Sequence, residues 1–187
     1  ILLSLGIQIF MSSTEKESSQ NDDYTKVQLK EISIEDLLPR DQINVDMDSI
    51  GNLLRDKKIM ITGSAGSIGS EMVRQIAVYK PAELILIDQA ETPQHNIRLM
   101  MQFEWPDIKA HTIVASISNY ERMEKIFQTY KPDYVFHAAA YKHVPMMENN
   151  PSESIQNNVW GTKVIADLSV KYGVKKFVMV STDKAVN

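Results

Sequence analysis

The chain contains no cysteine, which excludes disulfide bonds, cysteine-ligated zinc and thiolate catalysis. Such a sequence fits a reducing compartment, so we expect a cytoplasmic protein. Aromatic residues are also few, at 7%, whereas 43% of the 187 residues are apolar. This length and composition predict one globular domain with a hydrophobic core, plus a tail.

A strong charge of either sign is lacking as well. The formal net charge of −4 is modest and is spread along the sequence. No basic stripe is present that would neutralise the phosphates of a nucleic acid, so we predict no nucleic-acid partner.

A hydrophobic run long enough to cross a membrane is missing too. Residues 1–11 form the only apolar run near a terminus, about half of a membrane span, and Ser4, Gly6 and Gln8 interrupt it. No basic segment precedes this run, so we do not expect a signal peptide. Because the chain opens on Ile1 and stops after Asn187, we expect a fragment cut at both ends.

From Lys58 onward, apolar runs of strand length alternate with stretches of helical periodicity, which predicts βαβ units and a parallel sheet. Right-handed crossovers give the strand order 3-2-1-4-5, so we predict an α/β fold with a Rossmann-type doubly wound sheet that lacks its last strands. The predicted strands are residues 58–62, 83–87, 111–114, 134–137 and 176–180. The predicted core face of the third helix is Ile155, Val159, Val164 and Leu168.

The sequence before Lys58 is less regular. Residues 12–25 are rich in serine, asparagine and charge, so we assign residues 1–25 to a flexible linker at the end of a preceding region. Residues 26–57, with a short helix near residues 47–54, form a predicted lead-in segment on the domain edge. Residues 58–187 form the predicted Rossmann domain, incomplete at its carboxyl end.

A glycine triplet follows the first predicted strand and opens the first predicted helix. In this context the first glycine makes the turn, the second lets the backbone approach a pyrophosphate, and the third allows close helix–strand packing. The helix N-terminus then faces the anion. An ordinary turn is the alternative. Because three of the seven glycines fall within residues 62–69, we predict an NAD(P) site formed by Gly63, Ser64, Gly66, Ser67, Ile68 and Gly69.

Asp88 ends the second predicted strand, about twenty residues beyond Gly69, where a carboxylate accepts hydrogen bonds from the adenosine ribose. A carboxylate there repels a 2′-phosphate, so NAD is favoured, with NADP as the other option. Asp88 could instead cap a helix over residues 89–101, and both roles can hold together.

Five segments carry a family resemblance: TGSAGSIGSE (62–71), LIDQAE (86–91), FHAAAYKHVPMMENNP (136–151), NNVWGT (157–162) and STDKAVN (181–187). They resemble the nucleotide-sugar branch of the extended short-chain dehydrogenase/reductases, and most of all the UDP-N-acetylglucosamine 4,6-dehydratases of capsule and O-antigen biosynthesis. The segment LLPR (37–40) resembles the long, membrane-anchored members. This implies membrane helices before Ile1, a place at the cytoplasmic face of the inner membrane, and homo-oligomer contacts through residues 123–130 and 155–168.

The resemblance also implies further site residues. Ser116 stands where the family usually has an aspartate for the adenine amino group, which weakens that contact. Asn158 is implied to hold the active-site backbone or an ordered water; the alternative is an amide on a helix surface. A UDP-sugar substrate is implied to lie against Tyr141, Lys142 and His143, with a solvated loop as the alternative. The additional implied cofactor contacts are Ser116, Ile117, Ala138, Ala139, Ala140 and Asn158.

The implied reaction is a redox-neutral lyase reaction in which bound NAD(P) stores a hydride. The resemblance assigns Thr182 to the sugar 4-oxygen, Asp183 to protonating the departing hydroxyl, and Lys184 to the base at carbon 5. The alternative is a polar exit from a strand. Since the chain stops before the family's Y-x-x-K segment and its sugar-binding lobe, we expect the fragment itself to be inactive.

Two other functions stay open. A nucleotide-sugar 4-epimerase would share the cofactor fold and use the tyrosine of Y-x-x-K as base. A non-catalytic nucleotide-binding module would regulate or scaffold a membrane assembly. We expect a structural, hydrogen-bonded His137 and no metal site, because no cysteine or clear carboxylate would complete a zinc site with His137 and His143.

Overall fold

The computed structural model describes residues 10–13, 28–31 and 46–181. The chain divides into two units, Ile1–Val45 and Asp46–Asn187. In the first unit, β1 (Phe10–Ser13) pairs antiparallel with β2 (Gln28–Glu31). Most of the predicted linker lies outside the described residues, and the boundaries proposed for residues 1–25 and 26–57 stay predictions.

The second unit alternates strands and helices along the chain. The short helix expected near residues 47–54 is present, and each predicted strand is found within two residues of its predicted bounds. Between α6 and α7 the helix continues without a break through a π-helical segment. The elements are α1 (Met47–Leu54), β3 (Lys58–Thr62), α2 (Ser67–Ala77), β4 (Glu83–Asp88), α3 (Glu91–Glu104), β5 (Lys109–Val114), α4 (Tyr120–Tyr130), β6 (Tyr134–His137), α5 (Val144–Glu148), α6 (Pro151–Ser154), the π-helical segment (Ile155–Gly161), α7 (Thr162–Lys171) and β7 (Lys176–Met179).

The sheet of the second unit has five parallel strands in the order β5-β4-β3-β6-β7. Counted from β3, this is the predicted order 3-2-1-4-5, and the Rossmann-type prediction is confirmed. The central strand β3 pairs with β4 on one side and β6 on the other. Its carboxyl end therefore lies between those of β4 and β6, where doubly wound sheets bind their ligands.

Both faces of the sheet are covered, as a parallel sheet requires. Along β3, Ile59 and Ile61 point to the face of α1, α2 and α3, whereas Met60 points to the face of α4 and α7; all three are fully buried. Phe127 of α4 and Leu168 of α7 are also fully buried on this second face. Burying a side chain of this size contributes about 1.5–3 kcal/mol, so these two layers form the core.

The predicted face of the third helix is wrong in its first half. Val164 and Leu168 are buried as expected, but Ile155 and Val159 are 62% and 63% exposed. Both lie in the π-helical segment, whose hydrogen bonds run from residue i to i+5 and so add a residue to the turn. The wider turn shifts the apolar spacing of an α-helix away from the core.

Helix ends follow local side-chain and backbone chemistry. Asp46 accepts a hydrogen bond from the backbone N–H of Ser49 at 3.0 Å, and Asn119 does the same for Arg122 at the start of α4. The left-handed residue Lys131 ends α4, with a φ of 47°. Within the described part of the chain, no helix has both the length and the apolar character needed to span a membrane.

Candidate cofactor cleft

The turn after β3 can be formed only with glycine at two positions. Gly63 has a φ of 72°, and a Cβ there would lie 2.7 Å from the backbone of Ala138 and Ala139. A Cβ at Gly69, in the first turn of α2, would overlap the carbonyl oxygen of Gly63. The turn therefore lies directly against the start of α2 on one side and the residues after β6 on the other.

Backbone hydrogen bonds tie this turn to the end of β4. Gly63 and Ser64 both donate their N–H groups to the carbonyl oxygen of Ile87, at 2.8 and 3.1 Å. Ala65 donates its N–H to Oδ2 of Asp88 at 3.0 Å. At the N-cap of α2, Gly66 is exposed and has no side chain to occupy the helix N-terminus, which stays open toward an anion.

The side chain of Ser64 points into the interior. Its hydroxyl is buried and donates to Oε1 of Gln94 at 2.9 Å, while the amide of Gln94 donates to the carbonyl oxygen of Leu86 at 2.7 Å. Ser64 was predicted as a cofactor contact. In the structure its side chain instead joins the phosphate turn to α3 and β4.

Asp88 lies at the end of β4 and accepts hydrogen bonds from two segments, the phosphate turn and the turn before α3. Besides the N–H of Ala65, it accepts the N–H of Ala90 on Oδ1 at 2.9 Å. The helix predicted from residue 89 begins at Glu91, with Ala90 as its N-cap, so Asp88 closes the turn before α3 and is not the N-cap itself. Each carboxylate oxygen has a second lone pair, so Asp88 can still accept ribose hydroxyls.

A cleft of about 440 Å³ runs along this edge of the sheet, within the usual size of small-molecule sites. The phosphate turn and Asp88 form one wall, and the three alanines after β6 form the other. Several predicted site residues meet here. The lining residues include Gly63, Gly66, Asp88, Gln89, Ile117, Ala138, Ala139, Ala140, Tyr141, His143 and Asn157.

Asn158 fixes the backbone after β6 from the π-helical segment. Its Oδ1 accepts the N–H of Tyr141 and its Nδ2 donates to the carbonyl oxygen of Tyr141, both at 2.8 Å. This is the backbone-holding geometry that the resemblance implied, and Asn158 itself is not among the residues that line the cleft.

The neighbouring Asn157 was missed by sequence reasoning. It is only 8% exposed and lines the cleft. Its Nδ2 donates to Oδ1 of Asn158 at 3.0 Å, and among the described residues its Oδ1 has no hydrogen-bond partner. The asparagine pair at positions 157 and 158 is the one signal in the sequence that could have identified it. Both residues lie within the π-helical segment, and such segments occur often at functional sites.

His137 ends β6 beneath the cleft and confirms the structural role expected for it. It is 2% exposed, and its two ring nitrogens are hydrogen-bonded to the hydroxyls of Thr62 at 2.6 Å and Thr162 at 2.9 Å. Burial lowers the pKa of His137 to about 4, from an ordinary value of 6.5. The imidazole is therefore neutral at physiological pH and joins β3, β6 and α7.

The other predicted cofactor residues lie apart from the cleft lining. Ser67 and Ile68 are exposed on the first turn of α2, where Ile68 faces an apolar groove that also includes Met72. The hydroxyl of Ser116 lies 2.8 Å from that of Ser118.

On the predicted substrate side, Lys142 is exposed beside a second, shallower pocket that also includes Met147 and Ile155. The predicted acid–base residues Thr182, Asp183 and Lys184 lie outside the described residues. Within residues 10–13, 28–31 and 46–181, no group of three or more histidine, aspartate or glutamate side chains could hold a metal ion.

Curated relatives share most of this chain. It is 42% identical over 160 residues to the capsular polysaccharide biosynthesis protein CapD of Staphylococcus aureus, covering 85% of this chain and 27% of the relative. It is 40% identical over 164 residues to the probable polysaccharide biosynthesis protein EpsC of Bacillus subtilis, covering 87% and 27%. An inverting UDP-N-acetylglucosamine 4,6-dehydratase of Campylobacter jejuni is 34% identical over 136 residues, covering 72% and 39%. The chain thus spans less than half of each of these relatives.

Solved structures share the fold. The Pen protein of Bacillus thuringiensis superposes with a TM-score of 0.65 at 29% identity, covering 71% of this chain and 41% of that one. The UDP-glucose 4-epimerase of Thermotoga maritima, solved with UDP-glucose, has a TM-score of 0.57 at 32% identity, covering 67% and 38%. The enzyme WbmG of Bordetella bronchiseptica, solved with NAD, has a TM-score of 0.55 at 26% identity, covering 66% and 36%.

A family model agrees with these similarities and with the resemblance noted from the sequence. The model described as "Polysaccharide biosynthesis protein" matches residues 59–187, which is most of the second unit and more than half of the chain. The chain therefore belongs to the polysaccharide biosynthesis protein family.

Proposed function

We propose that this chain is the cofactor-binding domain of a longer NAD-dependent enzyme that processes nucleotide sugars for surface polysaccharides, and that its reaction is the 4,6-dehydration of UDP-N-acetylglucosamine. The observation that carries the proposal is the cleft itself. A glycine turn opens a helix N-terminus beside Asp88, and a wall of three alanines faces it. The named dehydratase relative, 34% identical over 136 residues, supports the choice of reaction.

The residues of the cleft fit NAD. Gly63 and Gly69 let the turn pack directly against neighbouring backbone. The exposed Gly66 places no side chain over the start of α2, so a pyrophosphate can lie against the backbone there. Asp88 can accept the ribose hydroxyls and would repel a 2′-phosphate, which favours NAD over NADP. The NAD in the WbmG structure supports the same cofactor.

When bound, NAD supplies a reversible acceptor for one hydride, so that the overall reaction needs no external oxidant. The residues of this chain position the cofactor. The small side chains Ala138, Ala139 and Ala140 would leave room for the nicotinamide end beside the backbone, and His137 holds that backbone on β3 and α7 as a neutral group. The acid and the base of the dehydration are then supplied by a segment outside these cofactor-positioning residues.

We assign the acid–base chemistry to the segment after β7. The N–H of Val180 donates to the carbonyl oxygen of His137 at 2.9 Å, so the chain leaves the sheet beside the alanine wall. Thr182 would hydrogen-bond to the sugar 4-oxygen, Asp183 would protonate the departing 6-hydroxyl, and Lys184 would remove the proton at carbon 5. The net change is the loss of one water from the sugar.

We place the UDP-sugar against Tyr141, Lys142 and His143, which follow the alanine wall. We also propose that the intact protein is membrane-anchored at the cytoplasmic face and forms homo-oligomers. Trp160 and Val170, 47% and 84% exposed on the helical stretch that includes α7, are apolar surface that a second copy could cover.

The test uses the intact protein that contains this chain, with UDP-N-acetylglucosamine and NAD. We expect a 4-keto-6-deoxy sugar, with a mass lower by one water, and deuterium placed on carbon 4 should return on carbon 6. A product of unchanged mass with inverted configuration at carbon 4 would contradict the dehydratase proposal.

A second experiment examines the acid. We expect Asp183→Asn to slow water loss more than hydride removal, because only water loss needs the proton of Asp183. Rapid mixing with spectroscopic detection of the reduced cofactor separates the two steps. Asp107→Asn, an exposed aspartate in the turn after α3, is the control and should change neither step. Equal loss of both steps in Asp183→Asn would count against the acid role.

A 4-epimerase is the second candidate, because a solved UDP-glucose 4-epimerase shares this fold at 32% identity. An epimerase would use the tyrosine of a Y-x-x-K segment as its base and would not require Asp183 or Lys184. The mass of the product in the first experiment distinguishes the two enzymes.

A further inference from the structure

Two side chains meet across the mouth of the cleft. Nε2 of Gln89 donates a hydrogen bond to the hydroxyl of Tyr141 at 2.6 Å, although the two residues are 52 positions apart in the sequence. Both residues line the cleft. We propose that Gln89 and Tyr141 form a clasp that closes over bound NAD and slows its exchange, an inference that rests on the proposed function of the cleft.

The sheet order places this clasp over the phosphate turn. Gln89 follows the last residue of β4, and Tyr141 lies four residues beyond β6. Since β3 lies between β4 and β6, a bond from Gln89 to Tyr141 crosses the carboxyl end of β3, where the phosphate turn begins. A dinucleotide extending from Asp88 toward the alanine wall would pass beneath this bond.

The backbone on each side of the clasp is fixed. Next to Gln89, the carboxylate of Asp88 is held by the N–H groups of Ala65 and Ala90. On the other side, Asn158 makes two hydrogen bonds to the backbone of Tyr141. The clasp can therefore open by rotation of the two side chains alone, without movement of either wall.

A single hydrogen bond between partly exposed groups would add only a moderate barrier to exchange of the cofactor. Gln89 is exposed and Tyr141 is half-buried, so water competes for both partners. Removing one net hydrogen bond of this kind changes a rate by about three- to tenfold. The clasp would thus retard exchange without making the cofactor permanent.

Slow release of the cofactor suits the proposed dehydration. A hydride taken from one carbon of the sugar must return to another carbon of the same molecule, so the cofactor has to stay in place between the two transfers. The geometry also adds a role for Tyr141 beside its proposed place next to the sugar, because its hydroxyl is directed to Gln89 at the cofactor cleft. Gln89 had no predicted role.

The experiment measures exchange of NADH in the intact protein by stopped-flow fluorescence, with excess NAD as the displacing ligand. We expect Gln89→Ala and Tyr141→Phe each to raise both the association and the dissociation rate constants by about three- to tenfold, with a much smaller change in Kd. Because both variants remove the same bond, the double variant should be no faster than the faster single variant.

Matched controls lie outside the cleft. Gln75→Ala removes an exposed glutamine that donates to Glu71 on α2, and Tyr120→Phe removes a hydroxyl that donates to Glu124 on α4. Neither change should alter the exchange rates.

Three outcomes would overturn the clasp. Single variants with unchanged rates would show that the bond does not restrict exchange. Faster dissociation with unchanged association, and effects that multiply in the double variant, would show two separate contacts with the cofactor. If the wild-type protein does not bind NADH, the cofactor proposal fails and the clasp fails with it.

Discussion

The two walls of the cleft are constructed by different means. The phosphate wall (residues 63–69 with Asp88) is held mainly by backbone N–H groups, which donate to the carbonyl of Ile87 and to Asp88. The alanine wall (residues 138–141) is held by side chains from distant elements, namely His137 and Asn158. The phosphate wall needs glycine, because a side chain there would clash with neighbouring backbone. The alanine wall depends instead on a neutral His137 imidazole and on the two hydrogen bonds of the Asn158 amide.

The largest effect should come from breaking the phosphate wall at Gly69. A Cβ at this position overlaps the carbonyl of Gly63, which is backbone and cannot move aside. We expect Gly69→Ala to lower the free energy of unfolding by about 4 kcal/mol, in the range of severe steric substitutions. Urea denaturation followed by circular dichroism measures the loss.

Gly173 provides the matched control. Its φ is 68°, but a Cβ there would meet nothing within 4 Å. Gly173→Ala should therefore cost only the left-handed backbone penalty of about 1 kcal/mol. Gly69 lies within α2 and has no positive φ, so its loss should come from the close approach of the Gly63 carbonyl alone. A loss in Gly69→Ala no larger than that in Gly173→Ala would show that the turn moves away from the added Cβ.

Acid should weaken the alanine wall through His137. Burial lowers the pKa of His137 to about 4 in the folded protein, whereas its ordinary value is 6.5. Between these values the unfolded chain binds the extra proton, so stability rises with pH there and is fully present above pH 6.5. Lowering the pH from 6.5 to 4 should remove roughly 3 kcal/mol, measured by urea denaturation at a series of pH values.

Two variants separate this effect from general acid denaturation. His137→Gln has no titrating group and should lose much of the slope between pH 4 and 6.5. His95→Gln, at an exposed position on α3, should keep it. If the free energy of unfolding of His137→Gln still rises as steeply between pH 4 and 6.5, the group that titrates is a different one.

Asn158 should have a smaller and more local effect on the same wall. Replacing it by alanine removes both hydrogen bonds to the backbone of Tyr141. We expect Asn158→Ala to cost about 2 kcal/mol and to raise hydrogen exchange in residues 138–143, measured by mass spectrometry. Gln156→Ala, at an exposed position of the same π-helical segment, is the control. If hydrogen exchange in residues 138–143 is unchanged in Asn158→Ala, the alanine wall keeps its conformation without the hydrogen bonds of Asn158.

The contrast between the walls also explains how much could be predicted. The strand order and the glycine turn follow from local patterns, because apolar period and glycine spacing are visible along the chain. The contacts of Asn158 and Gln89 with Tyr141 join residues 17 and 52 positions apart, which no local pattern encodes. The π-helical turn was missed because it breaks the 3.6-residue period on which the prediction for Ile155 and Val159 rested.

The smallest effect should come from Asp88, where the phosphate wall depends on a side chain. Asp88→Asn keeps one oxygen to accept the N–H of Ala65 or Ala90, so the fold should change little. It removes the negative charge that would repel a 2′-phosphate, and we expect the preference for NAD over NADP to fall by about tenfold. Isothermal titration of both cofactors measures the ratio. If NADP binds no better relative to NAD in this variant, the role of Asp88 is to hold the turn, and only the backbone of the phosphate wall distinguishes NAD from NADP.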